Sequence, residues 1–265
     1  IHGRALLDTP QTVLADLRDE ATINNIFDTR KPEVVFHAAA LKHLPLLERY
    51  PLEAYQTNVL GTLTLLNAAQ RTGVGVFVNI STDKAANPIS VLGYSKRIAE
   101  RVTAAVGQSA TSGKYMSVRF GNVLGSRGSV LMSFRDQIAK GGPLTVTHRG
   151  VTRYFMTISE AVQLVIQAGA IGSSGEALVL DMGTPVSIYD VAKQLVANSG
   201  KPVEIEIVGL RAGEKVHEEL FGEGESDTRP QHPLISHVPV LPVDLGLLVP
   251  SPTDARETML RIIAN

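Results

Sequence analysis

Short β-branched apolar runs alternate with longer amphipathic stretches along most of this chain. The runs fall at Thr12–Ala15, Val34–His37, Val76–Ile80, Tyr115–Phe120, Ala177–Asp181 and Glu204–Val208, and each predicts a strand. Between them, Asp19–Thr29, Leu52–Gln70, Leu92–Val106, Ser129–Lys140, Ile158–Ala168 and Ile188–Asn198 predict helices. In the second of these, Val59, Leu60, Leu63, Leu66 and Ala69 recur close to the helical period. Strands that are apolar throughout and flanked by helices are buried on both faces, which implies parallel pairing. The fold class that follows is α/β, a doubly wound parallel sheet.

Beyond about Gly141 the texture changes. Segments shorten, Gly and Pro become frequent, and a charged cluster runs from Arg211 to Glu219. This predicts a smaller lobe interleaved with the last strands. After Pro239 the periodicity weakens, and only a final helix at Thr253–Ile263 is expected.

Composition narrows the chemistry. With 265 residues, the chain is long enough for one large domain with an appended lobe. A net charge of -1 offers no broad basic face to nucleic acid or to an anionic membrane. The absence of cysteine removes disulfides, Cys-type zinc sites and a Cys nucleophile together. The seven His residues lack metal-ligand spacing, so His37, His43 and His217 are expected to pack or hydrogen-bond, and no metal site is expected. No apolar run reaches the roughly 18 residues of a membrane span. The chain opens at Ile1 without Met, which fits a domain cut from something longer.

The candidate chemistry clusters at predicted strand ends. Val34–Phe36 runs into His37-Ala38-Ala39-Ala40, where small side chains let a flat ligand approach the backbone. Val76–Ile80 runs into Ser81-Thr82-Asp83-Lys84: two hydroxyls, a carboxylate and an amine at the edge where doubly wound folds bind ligands. Lys96 follows on the helix opened by Pro88-Ile89-Ser90. Leu92 lies four residues before it and so shares its face. Tyr94 lies two before it, roughly 200° around the helix, and is expected to pack elsewhere. A dinucleotide-binding Gly-x-Gly-x-x-Gly turn is not found; Gly121 and Gly125 are spaced differently. In the usual strand order, Thr12–Ala15 then has no neighbour, and open sheet edges are expected.

The runs His37-Ala-Ala-Ala-Leu-Lys-His43, Asn79-Ile-Ser-Thr-Asp-Lys-Ala85, Asn87-Pro88 and Gly93-Tyr-Ser-Lys-Arg97 resemble the CapD-like polysaccharide-biosynthesis branch of the extended short-chain dehydrogenase/reductases. The resemblance continues through Arg119-Phe-Gly-Asn-Val-Leu-Gly125, Thr152-Arg-Tyr-Phe-Met-Thr157, Asp181-Met-Gly183 and Arg211-Ala-Gly-Glu-Lys-Val-His-Glu-Glu219, nearly the whole chain to Pro239. The best-understood members are UDP-N-acetylglucosamine 4,6-dehydratases. Part of the branch also has an apolar residue where this chain has Leu92.

The resemblance implies roles by position. Asp16 and Leu17 would flank adenine, Ala38, Ala39, Ala40 and Val123 would line an NAD or NADP cofactor, and Asn58 would order the strand beside it. Lys96 would bond the nicotinamide ribose. Thr82, Asp83 and Lys84 would surround the sugar C4–C6 region, with Lys42 and Asn122 nearby. Thr145, Thr147 and Glu214 would meet the nucleoside, and Arg153 and Arg211 would clamp the diphosphate. Lys215, Glu218 and Glu219 are expected on a solvated helix face.

The implied reaction is dehydration of a UDP-N-acetylhexosamine through a transient 4-ketone, with Lys84 taking the C5 proton and Asp83 protonating the leaving C6 hydroxyl. Without a Tyr at position 92, O4 deprotonation falls to Asp83, Lys84 or a water ordered by Thr82. The rivals are a UDP-sugar 4-epimerase, a 5-inverting dehydratase and a noncatalytic nucleotide-sugar-binding fragment. The expected organisation is an incomplete Rossmann cofactor domain over 1–140, a mainly nucleotide-sugar-binding lobe over 141–240 and a C-terminal tail over 241–265. The family also implies a homo-oligomer and a cytoplasmic domain, with membrane anchoring possible only through a longer parent chain.

Overall fold

The computed structural model describes residues 9–126 and 129–265. Its first half runs α1 (Glu20–Arg30), β1 (Val34–His37), α2 (Leu44–Arg49), α3 (Pro51–Ala54), α4 (Gly61–Thr72), β2 (Val76–Ile80), α5 (Val91–Ser109) and β3 (Lys114–Arg119). Then come β4 (Asn122–Val123), α6 (Val130–Ala139), β5 (Leu144–Val146), β6 (Thr152–Arg153), β7 (Phe155–Met156), α7 (Ile158–Ile171) and β8 (Glu176–Leu180). The chain closes with β9 (Val186–Ser187), α8 (Ile188–Ser199), β10 (Ile205–Ile207), β11 (Ile235–Pro239) and α9 (Ala255–Ala264).

The main sheet has the order β1-β2-β3-β8-β11. Its first four strands are parallel and β11 returns antiparallel on β8. Strand alternation sends neighbouring residues to opposite faces. Phe77 and Tyr115 stack at 6.0 Å in one core with α4, α5 and α9. Val78 and Met116 enter the other core, against Leu164, Val165 and Ala168 of α7. Both faces are therefore covered, as the apolar runs require. A third core, with Phe134, Leu144, Val146 and Ile188, builds the lobe.

Helix α5 supports the sheet under the candidate chemistry. Ser90 caps it by accepting from Gly93 N at 3.1 Å. A Cβ at position 93 would collide with the Lys84 carbonyl, so glycine lets the helix meet the turn after β2. Leu92, Lys96 and Glu100 recur every four residues and share one buried face.

Three expectations are corrected, and one strand was not expected. Thr12–Ala15 is not a strand: no described strand pairs with it, and Val13 and Leu14 are exposed, because an extended run without a neighbour forms no ladder. The helix expected at Leu52–Gln70 is interrupted by a π-helical turn at Tyr55–Leu60. The Glu204–Val208 run contributes β10, which pairs with β5 in the lobe and not with the main sheet. Finally, β11 had no periodic signal, because its alternation is confined to an antiparallel edge and ends in Pro239. At the other edge, Val34 and Phe36 of β1 are exposed, as the strand order led one to expect. Residues after Pro239 pack inward, with Val243, Met259 and Ile262 in the α5 core.

Candidate active site

A cleft of about 660 Å³ opens at the carboxyl ends of β1, β2 and β3 and continues into the lobe. That size suits a small organic ligand. On the sheet side it is lined by Ala38, Ala40, Lys42, Thr82, Lys84 and Lys96. Asn122, Val123, Thr145 and Thr147 line the far wall, with Arg153, Arg211 and Glu214. Leu92 and Gly121 also reach the surface of the cleft. The turns after β1, β2 and β3 thus converge with the lobe, as ligand sites of doubly wound sheets do.

Five expected site residues are not on that wall. Asp16 is exposed and pairs with Arg18 at 2.7 Å, which holds its carboxyl down to about 2. Leu17 packs over Gly61, where a Cβ would come within 3.1 Å of its side chain. Ala39 is exposed in the turn after β1 but does not line the cleft. Asn58 sits behind the wall in the π-turn. Its Oδ1 accepts from Leu41 N at 2.8 Å, and its Nδ2 donates to Leu41 O at 2.9 Å and Ser95 Oγ at 3.0 Å. It thereby ties the Ala38–Lys42 turn to α5. Asp83 is wholly buried behind Lys84.

The chemistry concentrates at Asp83 and Lys84. Asp83 Oδ1 accepts from the Thr82 hydroxyl and from Lys84 Nζ, both at 2.9 Å. Asp83 Oδ2 is buried with no partner among the described residues, close behind Gly121. Burial alone would lower the Lys84 pKa. The carboxylates of Asp83 and Glu218 outweigh it and hold the amine above its ordinary value, with Arg153 acting the other way. Lys96 is the opposite case: burial drives its pKa down to about 8, against a weaker upward pull from Glu100.

Several expectations change in the lobe. Lys215, Glu218 and Glu219 form no helix, and Glu218 is buried. Its Oε1 lies 3.3 Å from Lys84 Nζ. Lys215 turns inward to the Ala86 carbonyl and to Glu219, whose own side chain is half exposed. Arg153 builds the wall from within: its guanidinium donates to the carbonyls of Thr152, Lys215 and Val216 and to Glu214. Arg211 is exposed on the rim. Thr147 donates to Glu214 at 3.0 Å, and Gln137 holds Thr145 through both its amide atoms. The sequence reading missed Glu218 and Gln137. Gln137 had a weak signal, a polar residue between Phe134 and Ile138 on the apolar face of its helix; Glu218 had none, because a charged run reads as solvated. His37 bonds Thr62, His217 bonds Thr152, and Tyr94 lies in the α5 core, as expected. No group of side chains among the described residues could hold a metal, and no described helix is long and apolar enough to cross a membrane.

Known proteins resemble this chain in sequence and fold. Residues 3–240 match the family described as polysaccharide biosynthesis protein. The capsular polysaccharide biosynthesis protein CapD of Staphylococcus aureus is 51% identical over 216 residues, 80% of this chain and 36% of that protein. A UDP-glucose 4-epimerase of Rickettsia rickettsii is 41% identical over 72% of this chain and 56% of its own length. The chain thus spans about a third of the CapD relative. Among solved structures, Pen from Bacillus thuringiensis superposes with a TM-score of 0.80 at 33% identity, covering 87% of this chain and 73% of that one. DesIV, a dTDP-glucose 4,6-dehydratase of Streptomyces venezuelae solved with NAD, shares the fold with a TM-score of 0.71 at 21% identity, covering 79% and 70%. A Rossmann-like sheet, a cleft at its carboxyl edge and a family match over most of the sequence agree, and the chain belongs to the polysaccharide biosynthesis protein family.

Proposed function

We propose that this chain carries the sugar-reacting part of a nucleotide-sugar 4,6-dehydratase acting on a UDP-N-acetylhexosamine. The observation that carries the reading is the Asp83–Lys84 pair, joined at 2.9 Å, with Lys84 on the cleft wall. Elimination across C5–C6 needs one group that takes a proton and one that returns it, and this pair holds one mobile proton between them.

The residues present fit a nicotinamide dinucleotide. Ala38 and Ala40 leave the β1 turn free of bulk, and the buried Lys96 amine lines the cleft, which suits a ribose hydroxyl. Held there with Val123, such a cofactor would supply reversible oxidation at sugar C4, which acidifies the C5 proton, and reduction at C6. The protein residues do the rest. The Lys84 proton moves along its hydrogen bond to Asp83, leaving a neutral amine. Lys84 takes the C5 proton as Asp83 returns one to the departing C6 hydroxyl through the Thr82 hydroxyl, which bonds Asp83 Oδ1 at 2.9 Å and lines the cleft. Water leaves and the pair regains its resting charges; the proton released from O4 on oxidation matches the one C5 takes back on reduction, so the count closes. Arg211, on the rim, meets the diphosphate; Arg153 shapes that subsite through Glu214; Thr145, Thr147 and Glu214 face the nucleoside.

The test is incubation with UDP-N-acetylglucosamine and NAD(P), read by mass spectrometry and proton NMR. A product lighter by one water with a new C6 methyl signal supports the reading. An isobaric C4 epimer favours the second reading, a UDP-sugar 4-epimerase, which the 41%-identical relative of that name supports.

A further inference from the structure

Lys84 faces two carboxylates, not one. Asp83 approaches from its own turn at 2.9 Å, and Glu218 approaches from the irregular segment between β10 and β11 at 3.3 Å. Glu218 lines the cleft, yet it is buried, and its Oε2 has no partner among the described residues. Its backbone is clamped on both sides by buried arginines. Arg153 holds the carbonyls of Lys215 and Val216, and Arg119 holds that of Leu220 at 2.9 Å. A salt bridge meant only for stability is poorly served by this design. Lys84 already has a partner, and a second buried carboxylate with an unmatched oxygen costs desolvation that the fold could avoid. The other charge facing Lys84 is Arg153, whose Nε lies 4.0 Å from Glu218. On α5, the helix packed against this turn, Glu100 is held by Arg119, Arg97 and Ser81, and Lys96 faces Glu100 and His37.

We propose that Glu218 is a positioning residue of the acid–base group: its carboxylate holds the Lys84 amine between two anions and sets the pH at which the Asp83–Lys84 pair exchanges its proton. Its catalytic consequence rests on the dehydratase reading; the basicity of Lys84 does not. With Glu218 in place, the proton rests on Lys84 until substrate enters. Without it, the amine is deprotonated at lower pH.

The experiment measures Lys84 directly. Trace acetic anhydride acetylates only the neutral amine, and peptide mass spectrometry reads its rate at Lys84 from about pH 7 to 10. In Glu218→Gln the rate profile should move down by about one pH unit or more, a tenfold rise in rate at fixed pH. Glu218→Met, which removes the charge but refills the space, should move it the same way, and Glu218→Asp should restore it partly. An unmoved profile in both charge-free variants, with wild-type melting, overturns the proposal. Where dehydration is observed, the falling limb of kcat/KM against pH, where the pair loses its one proton, should move down in parallel. A moved acetylation profile in a protein that dehydrates nothing keeps the role of Glu218 and sinks the dehydratase reading instead.

Discussion

Two clusters of cations and carboxylates lie along one edge of the sheet, and they are finished to different degrees. In the first, Arg119 is wholly buried and every arm of its guanidinium is matched. Nε and Nη2 donate to Glu100 at 3.1 and 2.8 Å, and Nη1 donates to Glu225 at 2.6 Å and to Leu220 O. Glu100 also accepts from Ser81 Oγ at 2.6 Å and from Arg97 at 3.0 Å. In the second, Asp83, Lys84 and Glu218 leave two buried carboxylate oxygens without partners among the described residues. A buried charge is tolerable when its hydrogen bonds are complete. One with an open valence waits for a proton or a ligand donor. The complete cluster belongs to the fold, and the incomplete one borders the cleft.

Substitutions should separate the two clusters. The largest effect is expected at the incomplete one. Asp83→Asn or Lys84→Met should cut turnover about 10²–10⁴-fold in the dehydration assay. Asp83→Asn should melt close to wild type, since Glu218 still faces the Lys84 amine at 3.3 Å; a large loss of stability would make this pair structural too. Next, Glu100→Gln leaves Arg119 buried without its main counter-charge and should cost about 3–5 kcal/mol in urea unfolding. A loss below about 1 kcal/mol would mean that Glu225 alone suffices.

Acid sharpens the same contrast. Burial would raise the Glu100 carboxyl, but Arg119 first, then Arg97 and Ser81, hold it down to about 2 from an ordinary 4.5. The group therefore binds fewer protons in the folded chain between these values. Its stabilisation is complete above pH 4.5 and fades as pH falls towards 2. The urea midpoint should drop across that window in wild type and less steeply in Glu100→Gln.

Lys96 gives a smaller effect of opposite sign. Its folded pKa of about 8 lies below the ordinary 10.5, so its burial costs stability below pH 8 and the cost is relieved as pH rises to 10.5. Lys96→Met should raise stability at neutral pH by about 1–3 kcal/mol and flatten that rise, while activity with NAD(P) falls. A variant that melts lower would show that the amine has a structural partner. The smallest effect belongs to Tyr94→Phe. Tyr94 sits in the α5 core away from the cleft, so turnover should stay within about twofold.

Much of this contrast was legible along the chain. The four-residue spacing of Leu92, Lys96 and Glu100 put them on one face of α5 and put Tyr94 on another, because helical geometry is local. Ser81 to Lys84 follow an apolar run directly, so their place at a strand end was legible as well. Asp83 and Lys84 look equivalent in sequence, yet one is sealed and the other lines the cleft, a distinction made by Gly121 and the elements folded over them. Arg153 read as an open phosphate clamp until the carbonyls of distant residues filled its donors.

The sequence by itself determined the alternation of strands and helices, the faces of the long helix, the cluster of reactive groups after β2 and the family, because periodicity and contiguous motifs depend on neighbours along the chain. Only the tertiary structure decided that Thr12–Ala15 forms no strand, that β11 closes the sheet antiparallel, and that Glu218 stands against Lys84. Pairing, burial and charge neutralisation depend on which segments meet in space, and Glu218 meets Lys84 only when the lobe folds back across the carboxyl edge of the sheet.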